Sequence, residues 1–237
     1  FSNGLRKLVL PVMLITSAFA IPECQNKAAS LENLDNINTA RTSPASFTKT
    51  AALGERWSKD QKNLALGLAY SEGLEKLGQT DQQLQVLQAM SEQNPSDYRV
   101  QSIYGKKLIA AGHPEAAVPV LEAVAASGSG DWRTLSALGS AYDQQNQYGK
   151  AREAYQKALA LQPNEISVLN NMGMSYALEG NLKQAEATLR SAMSLPAGKS
   201  TPRLRQNLAL VVGLHGRFEE ARTIRSTDRP PAEVQAS

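Results

Sequence analysis

Apolar residues recur at helical spacing across residues 131–164 and divide this stretch into two amphipathic segments, 132–145 and 149–161. One face of each segment combines small and bulky residues, which are Leu135, Leu138, Gly139 and Tyr142 in the first and Ala151, Tyr155 and Ala158 in the second. Small residues let two helix backbones approach closely, while larger side chains fill the space around them. Pro163 closes the second segment because proline cannot continue a helix. The pattern predicts a helix–turn–helix unit that covers this stretch.

The same small residues and turn residues recur at one constant interval on both sides of this unit. The recurring positions are Gly105, Gly139 and Gly173, then Ala117, Ala151 and Ala185, and the turn glycines Gly78, Gly112 and Gly180. The last interval, from Gly180 to Gly216, is longer, which places a two-residue insertion in the connection between Pro196 and Pro202. One helix pair cannot bury its own apolar face, so we predict an all-α repeat solenoid of about four repeats plus a partial C-terminal repeat. Its predicted units are residues 64–97, 98–131, 132–165, 166–201 and the partial unit 202–229.

The stretch 1–55 lacks this periodicity and predicts a signal segment followed by a flexible tether. Arg6 and Lys7 precede an apolar run, 8–20, that suits a secretory signal and is short for a membrane span. The following stretch is rich in Asn, Thr, Ser and Ala, and it cannot bury enough apolar surface to offset its ordering entropy. The predicted domains are therefore a signal segment at 1–20, a tether at 21–55, a repeat domain at 56–229 and a disordered tail at 230–237.

Cys24 is the only cysteine and follows the apolar run closely, so it is a candidate for the lipidated residue of a bacterial lipoprotein. Ile21 fits the lipoprotein pattern, whereas Pro22 and Glu23 depart from it. Cleavage after Ala20 instead would leave a soluble periplasmic protein with a free thiol. Both alternatives predict the bacterial cell envelope, either in the periplasm or at the periplasmic face of the outer membrane.

Composition argues against nucleic-acid binding, a metal site and catalysis. The net charge of +3 is spread along the chain and aromatic residues make up 5%, which is unlike a base-stacking platform. One cysteine and the separate histidines His113 and His215 do not supply the about four ligands of a structural zinc site. The sequence lacks the HExxH, GxxxxGK[ST], GxSxG and GxGxxG motifs. We therefore predict a non-catalytic protein that needs no cofactor or metal and has no nucleic-acid partner.

The first helix of each pair is expected to turn polar side chains toward a concave groove that binds a protein or an extended peptide. The predicted groove residues are Arg99, Ser102, Lys106, Arg133, Ser136, Ser140, Asp143, Gln144, Asn170, Asn171, Met174, Arg203, Gln206 and Asn207. The amides of Asn171 and Asn207 stand at equivalent places and can both donate to and accept from a peptide backbone. Alternatively, these amides simply fill a wet surface. The arginines and the lysine would attract an acidic side chain or a C-terminal carboxylate.

The repeating unit resembles the tetratricopeptide repeat, which is about 34 residues long and whose pattern runs Leu-Gly, Tyr, Ala, Phe/Tyr, Ala and Pro in order. The signal with Cys24, the opening NLALGLAYSEGLEKLG and the ending QNLALVVGLHGRF together resemble the TadD family of the tight-adherence (Flp) pilus assembly machinery, over about residues 62–233. This resemblance implies an envelope lipoprotein that acts as a pilotin and helps an outer-membrane secretin to localise or assemble. A general periplasmic peptide-binding repeat module for another envelope machine is the alternative, and it would use the same groove.

Overall fold

The computed structural model describes residues 43–226, and within that range the chain forms twelve α-helices and no β-strand. The helices are α1 (Pro44–Lys59), α2 (Leu64–Lys76), α3 (Thr80–Gln93), α4 (Tyr98–Ala110), α5 (Pro114–Ala126), α6 (Trp132–Gln144), α7 (Tyr148–Leu161), α8 (Ile166–Leu178), α9 (Leu182–Ser194), α10 (Pro196–Lys199), α11 (Pro202–Leu214) and α12 (Phe218–Ser226). The predicted all-α solenoid is confirmed. Each predicted unit from residue 64 onward contains one helix pair: α2 with α3, α4 with α5, α6 with α7, α8 with α9, and α11 with α12.

The two helices of a pair pack closely because a small residue on the first helix faces a large side chain on the second. A Cβ atom built on Gly139 would lie 2.6 Å from the Tyr155 ring. Cβ atoms on Gly105 and Gly173 would likewise lie 2.6 and 2.7 Å from Leu121 and Leu189. The alanines that recur on the second helices, Ala117, Ala151 and Ala185, are all fully buried. The same contact therefore repeats in three successive pairs, as the spacing of small residues predicts.

The turn inside each pair places its middle residue in the left-handed region of backbone conformation. Gly78, Gly112, Gly180 and Gly216 have φ values between 70° and 89°, and Asn146 takes the same place with a φ of 58°. Side chains disfavour this region, because Cβ crowds the following carbonyl oxygen. The regular turns therefore depend on glycine at four of the five positions.

Replacing Gly112 with alanine is expected to lower the free energy of unfolding by about 1–2 kcal/mol, since its φ of 82° is strained for an L-residue. Gly149 offers a matched control, because both glycines are exposed and a Cβ on either would meet no atom within 4 Å. Gly149 lies within α7, so Gly149→Ala should raise stability by about 0.5–1 kcal/mol. Urea unfolding followed by circular dichroism measures both. Equal changes of the same sign in the free energy of unfolding of the two variants would show that the backbone conformation of Gly112 does not require glycine.

The predicted insertion between Pro196 and Pro202 coincides with α10, a four-residue helix that lies between the fourth pair and the last. Its Gly198 is buried against the C-terminal end of α9, where a Cβ would lie 1.9 Å from the Ala192 carbonyl oxygen. The extra residues therefore form a short turn of helix, and the pairing of α11 with α12 resumes after it.

Helix α1 corrects the prediction that residues 21–55 form a tether, because residues 44–55 of that range are helical. The helix packs on α2 through Thr50 and Trp57, which are both buried, and the Trp57 ring lies 6.0 Å from the Tyr70 ring. Residues 21–42 of the tether, the signal segment, Cys24 and the predicted tail lie outside the described residues. Between residues 43 and 226, none of the helices is both long and apolar enough to cross a membrane.

Candidate partner-binding groove

Acidic N-caps set the start of three first helices, and with it the register of the residues along the groove. The Asp97 side chain accepts hydrogen bonds from the backbone N–H groups of Arg99 and Val100 at the start of α4. The Asp131 side chain accepts from the Thr134 N–H at the start of α6, and the Glu165 side chain accepts from the Ser167 N–H at the start of α8. A carboxylate at this position both satisfies free N–H groups and favours the helix dipole. Equivalent residues of successive first helices therefore face the same way.

The fourteen predicted groove residues fall into three classes of exposure. The exposed residues are Arg99, Arg133, Gln144, Arg203 and Gln206. The half-buried residues are Lys106, Ser140, Asp143, Asn171, Met174 and Asn207, and the buried residues are Ser102, Ser136 and Asn170. Only the first two classes present surface on which a partner could bind.

The buried polar residues hold neighbouring pairs together. Ser102 on α4 and Thr134 on α6 share a hydrogen bond of 2.7 Å between their hydroxyl oxygens. The Asn207 amide donates to the Asn170 side-chain oxygen at 2.8 Å, which joins α11 to α8. Asn170 in turn donates to the Asn171 side-chain oxygen at 3.4 Å. Part of the predicted amide surface therefore serves helix–helix contact.

Asp143 is also held by its neighbours. Its carboxylate accepts hydrogen bonds from the Tyr155 hydroxyl at 2.8 Å and from the Ser175 hydroxyl at 2.6 Å, and so joins α6 to α7 and α8. Burial raises the pKa of the Asp143 carboxyl, and the two hydroxyl groups oppose that rise. Burial likewise raises the pKa of the Tyr155 hydroxyl. We therefore assign Asp143 to the junction between the third and fourth pairs.

A recess of about 620 Å³ lies beside the start of α4, where Arg99, Asp97 and Asp131 line it. Arg99 is bonded to Asp97 at 3.1 Å, but its side chain is 85% exposed, so that ion pair contributes little. Lys106 lies 3.9 Å from Asp131 on the rim of the same recess. Burial lowers the pKa of Lys106, and Asp131 counteracts this effect. Asp97 and Asp131 both line the recess, so Arg99 and Lys106 each have a carboxylate partner there.

Two further predicted arginines lie along the first helices. Arg133 lies on α6, and Arg203 lies in the next recess. The guanidinium of Arg133 stacks over the Trp132 ring at 4.3 Å, and after burial its positive charge also contributes to the lowered pKa of Lys106. Arg203 lines a separate recess of about 330 Å³ together with Asn170 and Asn171. The groove therefore has a basic part along α4 and α6 and a part along α8 and α11 that combines amides with one arginine.

Sequence reasoning missed the large apolar residues that are exposed on two of the first helices, α8 and α11. Leu210 and Leu214 on α11 are 51% and 57% exposed, and Leu178 on α8 is similarly exposed. Leu210 follows Met174 at the same interval that separates Asn207 from Asn171, so the spacing could have identified it. Within residues 43–226, no group of three histidine, cysteine or acidic side chains is placed to hold a metal ion.

Comparison with known proteins identifies the type of repeat. Models of the tetratricopeptide repeat match residues 132–165 and 166–198. A solved structure of MamA (residues 41 to the end) from Desulfovibrio magneticus RS-1 is 26% identical, with a TM-score of 0.59 over 76% of this chain and 100% of that one. PilW, described as a widely conserved type IV pilus biogenesis factor, is 16% identical, with a TM-score of 0.67 over 88% of this chain and 96% of that one.

YrrB, described as a tetratricopeptide repeat protein with an unusual peptide-binding site, is 16% identical, with a TM-score of 0.53 over 73% of this chain and 88% of that one. The chain has no match among curated protein sequences. At these identities PilW and YrrB show the shared fold alone. Family models therefore identify two tandem tetratricopeptide repeats within this solenoid of helix pairs.

Proposed function

We propose that the chain is a non-catalytic scaffold that binds another protein of the bacterial envelope and assists assembly of a Flp/Tad pilus secretin. The observation that carries the proposal is the groove, which runs along successive first helices and offers exposed arginines and half-buried amides in regular register. Such a surface suits an extended segment of a partner protein. The resemblance of the chain to the TadD family supports the choice of partner, and the fold that it shares with PilW is compatible with it.

The charge of the groove indicates which segment of the partner would bind. Arg99, Lys106 and Arg133 lie along α4 and α6, where they outnumber Asp97 and Asp131, so we expect an acidic side chain or a C-terminal carboxylate there. Asn171 and Arg203 line the next recess, where an amide can bind a peptide backbone through both its donor and its acceptor. The proposed ligand is therefore an extended peptide with an acidic end.

Copurification of the full chain with the outer-membrane secretin of the same organism tests the proposal. The double substitution Arg99→Glu and Arg133→Glu should weaken binding by about tenfold or more, because it replaces two exposed cations of the groove with anions. Lys157→Glu with Lys183→Glu is a control of equal charge change, since both lysines are exposed on second helices outside the groove. Equal binding by the two variants would contradict a role for the groove.

The same experiment separates the secretin from the alternative partner. If the secretin does not copurify but another envelope protein does, and the Arg99→Glu and Arg133→Glu variant loses it, the chain serves a different envelope machine through the same groove. Enzymatic turnover by the pure protein would contradict the scaffold itself.

We further propose that Cys24 carries a lipid and anchors the chain at the periplasmic face of the outer membrane. Cells grown with a fatty-acid probe should label the wild-type protein and leave the Cys24→Ala variant unlabelled. An unlabelled wild-type protein recovered with Ile21 at its N-terminus would instead support cleavage after Ala20 and a soluble periplasmic form.

A further inference from the structure

A second groove lies between α11 and α12, and large apolar side chains are exposed along it. Leu210, Leu214 and Phe218 line this terminal groove, and they are 51%, 57% and 70% exposed. Its volume is about 860 Å³. Contiguous exposed apolar surface of this kind is typical of an interaction site and is uncommon elsewhere on soluble proteins.

The third helix pair shows what occupies the equivalent groove. There, Arg152 on α7 donates to the Glu179 carboxylate at the end of α8 at 3.0 Å and lies 4.8 Å from the centre of the Tyr176 ring. Asp143 on α6 also accepts a hydrogen bond from the hydroxyl of Ser175, which lies on α8. The groove between α6 and α7 therefore holds α8, the first helix of the next pair.

The terminal groove has the same positions but different side chains. Arg222 is the fifth residue of α12, as Arg152 is of α7, and Gly213 is the twelfth residue of α11, as Asp143 is of α6. Leu210 and Leu214 likewise take the places of Ser140 and Gln144. The two positions that hold α8 in the third pair are thus repeated here, and apolar side chains lie beside them.

The change from Asp143 to Gly213 also makes room for a larger occupant. A Cβ atom on Gly213 would contact only the Ala221 Cβ, at 3.8 Å. A helix in this groove therefore accommodates a bulky apolar side chain where α8 has Ser175. Burial of such a side chain against Leu210 and Leu214 would provide the main free energy of binding.

The charged residues that line the terminal groove are Arg222 and Arg225. Arg222 is paired with Glu219 at 2.9 Å, but both side chains are at least 75% exposed, so this bond can exchange for another carboxylate at little cost. In the third pair, the equivalent Arg152 binds the carboxylate of the helix in its groove. The charge of the groove therefore favours a helix with an acidic residue near its C-terminal end.

We infer that the terminal groove binds an amphipathic helix of a partner protein, with the apolar face of that helix on Leu210, Leu214 and Phe218 and a carboxylate on Arg222. This is the helix-in-groove mode of recognition, which differs from the extended-peptide binding proposed for the concave groove.

The probe is a fluorescein-labelled peptide that copies residues 165–179 with leucine in place of Ser175. Its fluorescence anisotropy is titrated with the full chain. Wild-type protein should bind it saturably, and Leu214→Glu should weaken binding at least about tenfold, because a carboxylate would be buried against the apolar face. Leu161→Glu is the matched control, since Leu161 is 56% exposed on α7 outside the groove, and it should bind like the wild type.

A double-mutant comparison tests the carboxylate. Replacing the glutamate that copies Glu179 with glutamine should weaken binding to the wild type several-fold and leave binding to Arg222→Ala unchanged. Circular dichroism confirms that the protein variants are folded. Absence of saturable binding, or full binding by Leu214→Glu, would overturn the inference. A concentration-dependent dimer that Leu214→Glu abolishes would also overturn it, because the occupant would then be a second copy of this chain.

Discussion

Replacing Ala151 with glutamate is expected to lower the free energy of unfolding by about 4 kcal/mol or more, a large share of the stability of an ordinary domain. Ala151 is fully buried between the helices of the third pair. The introduced carboxyl would have to lie there without a partner, and its extra atoms would also force the helices apart. Successive pairs stabilise one another, so the loss should reach the fourth pair as well.

Ala160→Glu is the matched control, because Ala160 lies on the same helix but is exposed, and its effect should stay within about 0.5 kcal/mol. Urea unfolding followed by circular dichroism compares the two variants. Acidification should narrow the difference, since a buried carboxyl has a raised pKa and becomes neutral as the pH falls. Equal unfolding midpoints for the two variants would refute the packing of α6 against α7.

The helix pairs could be predicted from sequence because the contact that holds each pair together involves residues close in sequence and recurs in successive pairs. A small residue such as Gly139 must face a large one such as Tyr155, and the constant interval between units shows the same requirement in each of them. Helix α1 could not be found in this way. The face that packs on α2 consists of Thr50, Gly54 and Trp57, so most of the helix has the composition of a linker.

The groove could be predicted only in part, because some of its polar residues face solvent whereas others form hydrogen bonds to the next helix pair. Ser102 bonds Thr134, and Asp143 bonds Ser175. Each of these bonds joins residues 32 apart, as does the ion pair between Glu75 and Lys107. A search for polar residues at this spacing would have identified them as partners across neighbouring pairs. The hydrophobic periodicity alone does not contain this information.

Replacing Tyr155 with alanine is expected to lower the free energy of unfolding by about 3–5 kcal/mol. The Tyr155 side chain is 1% exposed and fills the space beside Gly139, so its removal leaves a cavity that the glycine cannot fill. Its hydroxyl also donates to Asp143, which in turn holds Ser175 on α8. The substitution should therefore weaken both the third pair and its junction with the fourth.

Tyr155→Phe separates the hydroxyl from the ring and should lower the free energy of unfolding by about 1–2 kcal/mol, because Asp143 loses one of its two donors while it stays half-buried. Tyr148→Phe is the control, since that exposed hydroxyl on the same helix donates only to Asn146 at the surface. Its effect should stay within about 0.5 kcal/mol.

The pH dependence of the Tyr155→Phe effect provides an independent check. Burial already raises the pKa of Asp143, and loss of the Tyr155 hydroxyl should raise it further. A carboxyl whose pKa is raised by folding destabilises the folded state above that pKa, and the penalty disappears as the pH falls through it. The difference between wild type and Tyr155→Phe should therefore narrow between pH 7 and pH 4 in urea unfolding. A difference that stays constant or widens over this range would show that Asp143 is not the group that the hydroxyl stabilises.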